Sequence, residues 1–397
     1  MFRFLLCSFS FILLYPTAID LYLVGLPQIA ADLQVDEASL HIAFSAYLAG
    51  MASTMLFAGR FADSIGRKPV AIFGAVVFIF ASYLGGEAQS LNMFVGARFL
   101  QGIGAGACYV TAFAIIRDVL DEQRRTKVLS MVNGVTCVVP VIAPVVGHLI
   151  MIHYPWTTLF TAMAGMGVAV VILAVFLLRE TKPALQPTRE VTHEDSVSES
   201  FMQRHFLSFL VMTSMAVTVI LTYVNVSPML IMSQLGFERG GYSSVMAGTA
   251  LVGMVTSFSA PLLLSVFKPK TLLVTAKCLF MIAGVTLMAA DWFAFTVSAY
   301  LIGFGVVCAA FSLGFGVAMS GALAPFAKRA GMASSILGVS QVCVSALYIW
   351  VMGMLGVSPM TMLVTILIAT GLVSLVLILC LPQANNSNDY ESITSET

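Results

Sequence analysis

Long apolar runs recur along this chain, each close to the length a helix needs to cross a bilayer. A spanning helix takes about 20 mainly apolar residues. Such runs fall near 4–26, 41–59, 70–86, 92–116, 128–152, 157–178, 206–230, 244–267, 271–290, 292–318, 330–355 and 358–381. Twelve runs predict an all-α integral membrane protein. Composition agrees: charged residues are 10% of the chain and hydrophobic ones 59%, whereas soluble domains carry about 25% charged residues. A soluble core cannot hide this much apolar surface.

The longest polar break, 179–204, holds Pro183, Pro187 and many charges. It divides the runs six and six, so the chain reads as a six-helix bundle over 1–178, a linker over 179–204, a second six-helix bundle over 205–381 and a polar tail over 382–397. The tail reads as disordered by composition. Arg3 and the apolar run behind it resemble the start of a signal peptide. That run continues to Leu26 without a small-residue cleavage site, which predicts a retained first helix.

Lys and Arg set the orientation. Of nineteen, Arg98 and Lys277 fall inside runs, and Arg239 falls in an odd-to-even connection. The other sixteen lie at the N-terminus or in even-to-odd connections, which predicts that both termini face the cytoplasm. The seven cysteines all lie inside apolar runs without metal-ligand spacing, so they read as small apolar fillers. No metal, cofactor or disulfide framework is expected. A net charge of zero gives no reason to expect nucleic acid as a partner.

Between the second and third runs stands Gly59-Arg60-Phe61-Ala62-Asp63-Ser64-Ile65-Gly66-Arg67-Lys68. Six of these ten residues are Gly or charged, and the stretch reads as a short loop on the cytoplasmic side. Phe267-Lys268-Pro269-Lys270 is a faint counterpart in the second half. Deep inside the runs, Asp20 is the one acidic residue and Arg98 the one arginine. Ionisable groups at such depth face a cavity or a partner. Asp20 lies six residues before Leu26 and Arg98 six after Asn92, so each is roughly 9 Å below the outer surface. Opposite charges at one depth can pair, either as a static bridge or as a proton switch. Lys277 lies six residues from the cytoplasmic end of its run and is expected to snorkel to the headgroups.

Arg98, Gln101, Gly102, Ala105 and Tyr109 share a face of span 4 by their i, i+3, i+4 spacing, which suits a cavity wall. Gly102-Ile103-Gly104-Ala105-Gly106 follows no strand, so it reads as close helix packing rather than a phosphate loop. Span 5 carries Asn133, Pro140, Ala143, Pro144 and Gly147, with two prolines expected to kink it. His148 and His153 near its outer end read as structural or interfacial. In span 7, Tyr223-Val224-Asn225-Val226-Ser227-Pro228 is a polar patch beside an expected break.

Four of these features resemble one family at corresponding positions over nearly the whole chain. They are Gly59–Lys68, Arg98-Phe99-Leu100-Gln101-Gly102-Ile103-Gly104, Ala143-Pro144-Val145-Val146-Gly147, and Asp20-Leu21-Tyr22-Leu23 running to Pro27. Together they resemble the proton-coupled drug antiporters of the major facilitator superfamily, in the bicyclomycin and chloramphenicol resistance branch. The resemblance implies twelve transmembrane helices in two six-helix bundles. It implies proton-driven efflux of small amphiphilic drugs, chloramphenicol among them, across a bacterial inner membrane, with no enzymatic activity.

Carried over residue by residue, Asp20 and Arg98 would couple to protons. Asp20, Tyr47, Gln101, Tyr109, Asn133 and Asn225 would meet substrate. Gly59, Asp63, Gly66, Arg67 and Lys68 would form a gating loop, Asp63 docking at the start of span 11 just after Lys328 and Arg329. Pro140, Pro144 and Gly147 would form the antiporter kink. The expected partners are drugs, protons and lipid, and the expected state is a monomer. The chain departs from the pattern at Ser64, at His148 and at Ile12, where some relatives carry a basic residue, a glycine and a second carboxylate. Two other readings stand beside this one: an importer of a small metabolite in the same superfamily, and a membrane sensor that transports nothing. The second bundle has few of the fixed polar groups an importer of sugars or charged solutes would need, and no soluble output domain supports a sensor.

Overall fold

The computed structural model describes residues 2–120, 122–181, 201–293, 296–326 and 330–380, the side chains of 122, 123, 125–127, 129–137, 330 and 331 excepted. The helices are α1 (Phe2–Leu23), α2 (Leu26–Asp32), α3 (His41–Ile65), α4 (Arg67–Gly86), α5 (Leu91–Val119), α6 (Glu122–His153), α7 (Thr157–Phe176), α8 (Arg204–Pro228), α9 (Arg239–Val266), α10 (Pro269–Trp292), α11 (Val297–Leu323), α12 (Ala330–Met354) and α13 (Pro359–Cys380). Each of the twelve expected runs coincides with one long helix. Among the described residues, eleven of these are long and apolar enough to cross a membrane, and in α6 the apolar stretch is Val138–His153. Helices suit this solvent because each satisfies its own backbone hydrogen bonds where no water is at hand.

Three boundaries differ from the sequence reading. The first run ends at Leu23, and Leu26–Asp32 forms a separate short helix with Pro27 in its first turn, where a missing N–H costs nothing. Gly59–Lys68 is not a loop. Helix α3 runs on through Ile65, α4 begins at Arg67, and Gly66 alone makes the turn at φ 113° and ψ 159°. In span 7 there is no break at Pro228, because α8 passes straight into a wider π-helical stretch, Met229–Gln234.

Helices of each half pack on one another. In the first half α5 is the hub, against α1, α3 and α4, with α7 on α4 and α6 on α1. In the second, α11 packs on α8, α9 and α10, and α13 on α8 and α10. The Gly102–Gly106 stretch makes the first hub possible. A Cβ on Gly102 would collide with the carbonyl of Tyr47, and one on Gly50 with that of Phe99, so α3 and α5 meet backbone to backbone. Gly104 faces the other way, onto Gly74 and Phe78 of α4. Small residues at such contacts are the usual means by which helices approach in lipid.

The halves meet along a seam of α3 against α12 and α6 against α9. One hydrophobic core spans the seam, including Phe44, Tyr47, Val226, Tyr242 and Ala346. At the end carrying the basic connections the cores are separate. Ala62, Val70 and Ala107 belong to the first half, and Phe206, Phe209, Leu273 and Phe326 to the second. Four polar contacts cross the seam at the opposite end. Asn225 Nδ2 meets His41 Nδ1 at 2.8 Å, Ser233 donates to Glu37 at 2.6 Å, Arg239 donates to the Met151 carbonyl at 3.2 Å and Ser243 to the Pro144 carbonyl at 2.8 Å. Among the described residues, the halves are therefore tied by polar contacts at the end away from the basic connections, while at the other end their apolar clusters stay separate.

Candidate functional site

Helix α1 presents two different faces. Tyr15, Ala18 and Tyr22 recur at i, i+3 and i+7 and face α3 and α5. Tyr47 of α3 donates to the Tyr15 carbonyl at 3.1 Å, and Arg98 of α5 donates to the Ala18 carbonyl at 3.0 Å. The Arg98 guanidinium lies between two aromatic rings, 4.3 Å from the Tyr22 centroid and 4.4 Å from that of Tyr47. It also donates to the side-chain carbonyl of Gln101. Gln101 in turn donates to Ser82 Oγ at 2.8 Å and to Met163 Sδ at 3.4 Å. Arg98 Nε and Nη2 and the Tyr22 hydroxyl are buried without a partner.

Asp20 is on the other face. Two residues from both Ala18 and Tyr22, it is rotated from each by about 200°. Val24, one turn further along the Asp20 face, packs where a Cβ on Gly147 of α6 would sit 2.9 Å from it. Asp20 is 3% exposed. The expected pairing of Asp20 with Arg98 is not made: the ion pairs among the described residues involve Arg67 and Arg117 instead. Arg98 reaches α1 at Ala18, two residues from Asp20, but contacts the backbone there and not the carboxyl. It faces α1 from α5, and Asp20 is on the side of α1 turned away from it, where α6 packs.

The other expected substrate contacts divide in the same way. Tyr47 and Gln101 are fully buried in the first bundle, and their polar atoms are engaged as described. Tyr109 is partly exposed, its ring edge-on to Tyr15 at 5.7 Å and beside Phe113 at 4.9 Å. Asn225 is 1% exposed and reaches across the seam to His41. Asn133 lies outside the described side chains. Helix α6 passes through Pro140 and Pro144 without interruption, and a Cβ on Gly147 would lie 2.8 Å from the Leu21 carbonyl.

Among the gating residues, Asp63 is 63% exposed and Arg67 only 3%. Arg67 pairs with Asp63 at 2.8 Å and Asp118 at 2.8 Å, and donates to the Ala62 carbonyl at 2.6 Å. Arg117 adds a looser contact to Asp63 at 4.0 Å. Gly59 is partly buried, facing Val110 of α5. The expected docking of Asp63 at the start of α12 involves Lys328 and Arg329, which lie outside the described residues. Glu180, beyond α7, accepts from the backbone N–H of Arg67 at 2.8 Å and of Lys68 at 3.1 Å, and Lys68 Nζ donates to the Val175 carbonyl at 2.8 Å. Gly66 fits here because a Cβ would stand 2.5 Å from the Glu180 carboxylate.

Sequence reading missed Asp118, Glu180 and His41. Asp118 and Glu180 were visible as acids at the basic ends of spans 4 and 6, but their partners come from other helices. His41 gave no signal beyond being a polar residue at the start of a span. No three His, Cys, Asp or Glu side chains among the described residues gather as a metal site would need.

Residues 8–352 match the family model described as Major Facilitator Superfamily. The chain is 58% identical over 395 residues to the multidrug resistance protein MdtL of Vibrio parahaemolyticus serotype O3:K6, covering 100% of both. To the protein of that name from Klebsiella pneumoniae subsp. pneumoniae it is 58% identical over 377 residues, 95% of both. For Salmonella typhi the figures are 55% over 391 residues and 98% of both. Among solved structures, a D-xylose-proton symporter superposes with a TM-score of 0.79 at 16% identity, over 94% of this chain and 97% of that one. The inward open conformation of the xylose transporter XylE from E. coli gives 0.75 at 14% identity, over 99% of both. At such identities these two structures bear on the fold alone.

Proposed function

The chain belongs to the Major Facilitator Superfamily, and from that premise we propose that it exports amphiphilic drugs in exchange for protons. The name carried by relatives matching nearly its whole length supports drug efflux. The family is one of transporters, so no catalytic centre is sought. The observation that carries the coupling is Asp20, a buried acid in α1 that forms no ion pair among the described residues. Such a group can take a proton from one side and release it to the other as the seam opens and closes. Substrate enters from the end bearing the basic connections, reaches the interior near Asp20, and leaves when the opposite end opens. This is alternating access by two rocking bundles about a midplane site.

The two bundles are residues 1–178 and 205–381, joined by the linker 179–204. The sixteen-to-one placement of Lys and Arg supports cytoplasmic termini, and we take the protein to act as a monomer in a bacterial inner membrane. Import is not favoured by the xylose symporters, whose likeness concerns the fold.

The test is drug accumulation in efflux-deficient cells, with and without the protein, before and after an uncoupler. Lower accumulation that the uncoupler abolishes is the expected result; accumulation unchanged by the protein, or insensitive to the uncoupler, overturns proton-driven export. Single cysteines at Glu87 and Glu194 should be labelled from opposite sides of the membrane in intact cells.

A further inference from the structure

Two buried titratable side chains have no part in the cycle proposed above. Lys277 of α10 does not snorkel: it is 1% exposed, and its helix packs on α11 and α13 within the second half. His41, the first residue of α3, is 1% exposed as well, but it is enclosed from across the seam. Asn225 of α8 meets its Nδ1 at 2.8 Å. On α12, a Cβ on Gly353 would stand 3.3 Å from the His41 Cβ. Both walls belong to the second half, so separating the halves at this end uncovers the ring.

The contact is made by a neutral ring. An amide nitrogen only donates, so Nδ1 is the accepting nitrogen and the ring proton sits on Nε2. Nε2 and the Asn225 Oδ1 are buried without a partner. A second proton, on Nδ1, would set two N–H groups against each other. Turning the amide over would offer Oδ1, but it would strand Nδ2 and still leave the charge without an anion. Among the described residues no carboxylate is within ion-pair distance of His41. Asp36 is exposed at the turn leading into α3, and Glu37 beside it takes the hydrogen bond of Ser233. Within a turn of Asn225, the ionisable group on α8 is Tyr223, whose hydroxyl meets Thr249 at 3.1 Å. The last turn of α12, around Gly353, carries none. A charge left uncompensated in such a place is costly, and water reaching the ring removes that cost.

We propose that His41 is a proton-operated switch on the outer gate. It is charged from outside when that end is open, and it cannot re-enter the closed seam until it has released its proton. The direction follows from linkage: the open form binds a proton that the closed form excludes, so lowering the pH favours the open form. The switch rests on the alternating-access reading of this chain. It is distinct from the coupling carboxyl, which must keep its proton while the gate closes.

The measurement is the distance between spin labels on cysteines placed at Gln28 and Glu238, which line the outer crevice from opposite halves. It uses purified full-length protein with its native cysteines replaced and no drug present. Between about pH 8 and about pH 5, the parent should pass from a short to a long distance. Its open-to-closed ratio should rise by up to about tenfold per pH unit, the limit for one proton. His41→Gln, which can still hydrogen-bond to Asn225, should keep the short distance throughout. A parent that does not change, or a His41→Gln variant that opens in acid as the parent does, would overturn the proposal; the second would assign the switch to another group. Should His41→Gln not fold, Asn225→Asp serves instead. A carboxylate facing the ring holds the proton in the closed seam, so acid should no longer open the gate, and opening as in the parent would overturn the proposal equally. Because the distance is read without drug, the result stands apart from whether the protein exports drugs.

Discussion

Arg98 grips the backbone of α1 at Ala18, 3.0 Å from guanidinium nitrogen to carbonyl oxygen, on the opposite face from Asp20. The cation therefore acts on the carboxyl's helix and not on the carboxyl. In a double-mutant cycle, the melting losses of Asp20→Asn and Arg98→Ala should add, with a coupling below about 0.5 kcal/mol. Arg98→Ala alone should cost on the order of 3 kcal/mol, from its hydrogen bonds and its two ring contacts. A double variant restored to the parent's stability would show that the two residues are a static ion pair.

Asp20→Asn keeps the size of the side chain and removes its ability to give up a proton. The variant should bind neutral drugs and fail to pump them uphill. The measurement is drug-triggered proton release from purified protein, alongside direct drug binding. Release at the parent's level would transfer the coupling role to another residue.

Asp118 and Asp63 both pair with Arg67, but they are 5% and 63% exposed. Removing Asp118 takes the buried one of Arg67's two carboxylates and leaves Asp63 and the Ala62 carbonyl, so Asp118→Ala should cost about 1.5–3 kcal/mol. Asp63→Ala removes a surface partner and should cost less than about 1 kcal/mol. Thermal melts of the two variants check the contrast. If Asp63→Asn lowers transport while leaving stability and drug binding intact, its part is in gating.

Gly66→Ala introduces a side chain at a backbone conformation that suits glycine and against the Glu180 carboxylate. It should destabilise by about 1–3 kcal/mol. Adding Glu180→Ala removes the collision but leaves the backbone strain, so the double variant should remain less stable than Glu180→Ala alone. Equal melting of those two would place the whole effect in the collision.

Asn225→Ala leaves His41 without its cross-seam partner and should weaken closure at that end. A single cysteine at Gln28, beside the crevice of about 530 Å³ over the closed seam, should then react faster with a membrane-impermeant thiol reagent, without drug present. If Asn225 served only to contact substrate, the rate would not change.

The sequence by itself determined the number and length of the spans, because a bilayer reads apolarity and extent, and both are local properties of the chain. It also set Arg98 close to the Asp20 stretch of α1, where it meets Ala18, since position along a helix follows from counting residues of known rise. It marked Gly102–Gly106 as a packing surface, because no strand precedes it and small residues in a span have few other uses. Tertiary structure decided which way each side chain points. That depends on how a helix is rotated against its neighbours, and neighbours distant in sequence set the rotation. Asp20 and Ala18 are two residues apart, yet one makes no ion pair with Arg98 and the other takes its hydrogen bond. Lys277, counted as near enough to reach the headgroups, is enclosed because Gly371 lets α13 close over it. Glu180 finds the Gly66 turn only because α7 ends beside the start of α4, a meeting the packed bundle sets and the chain order conceals.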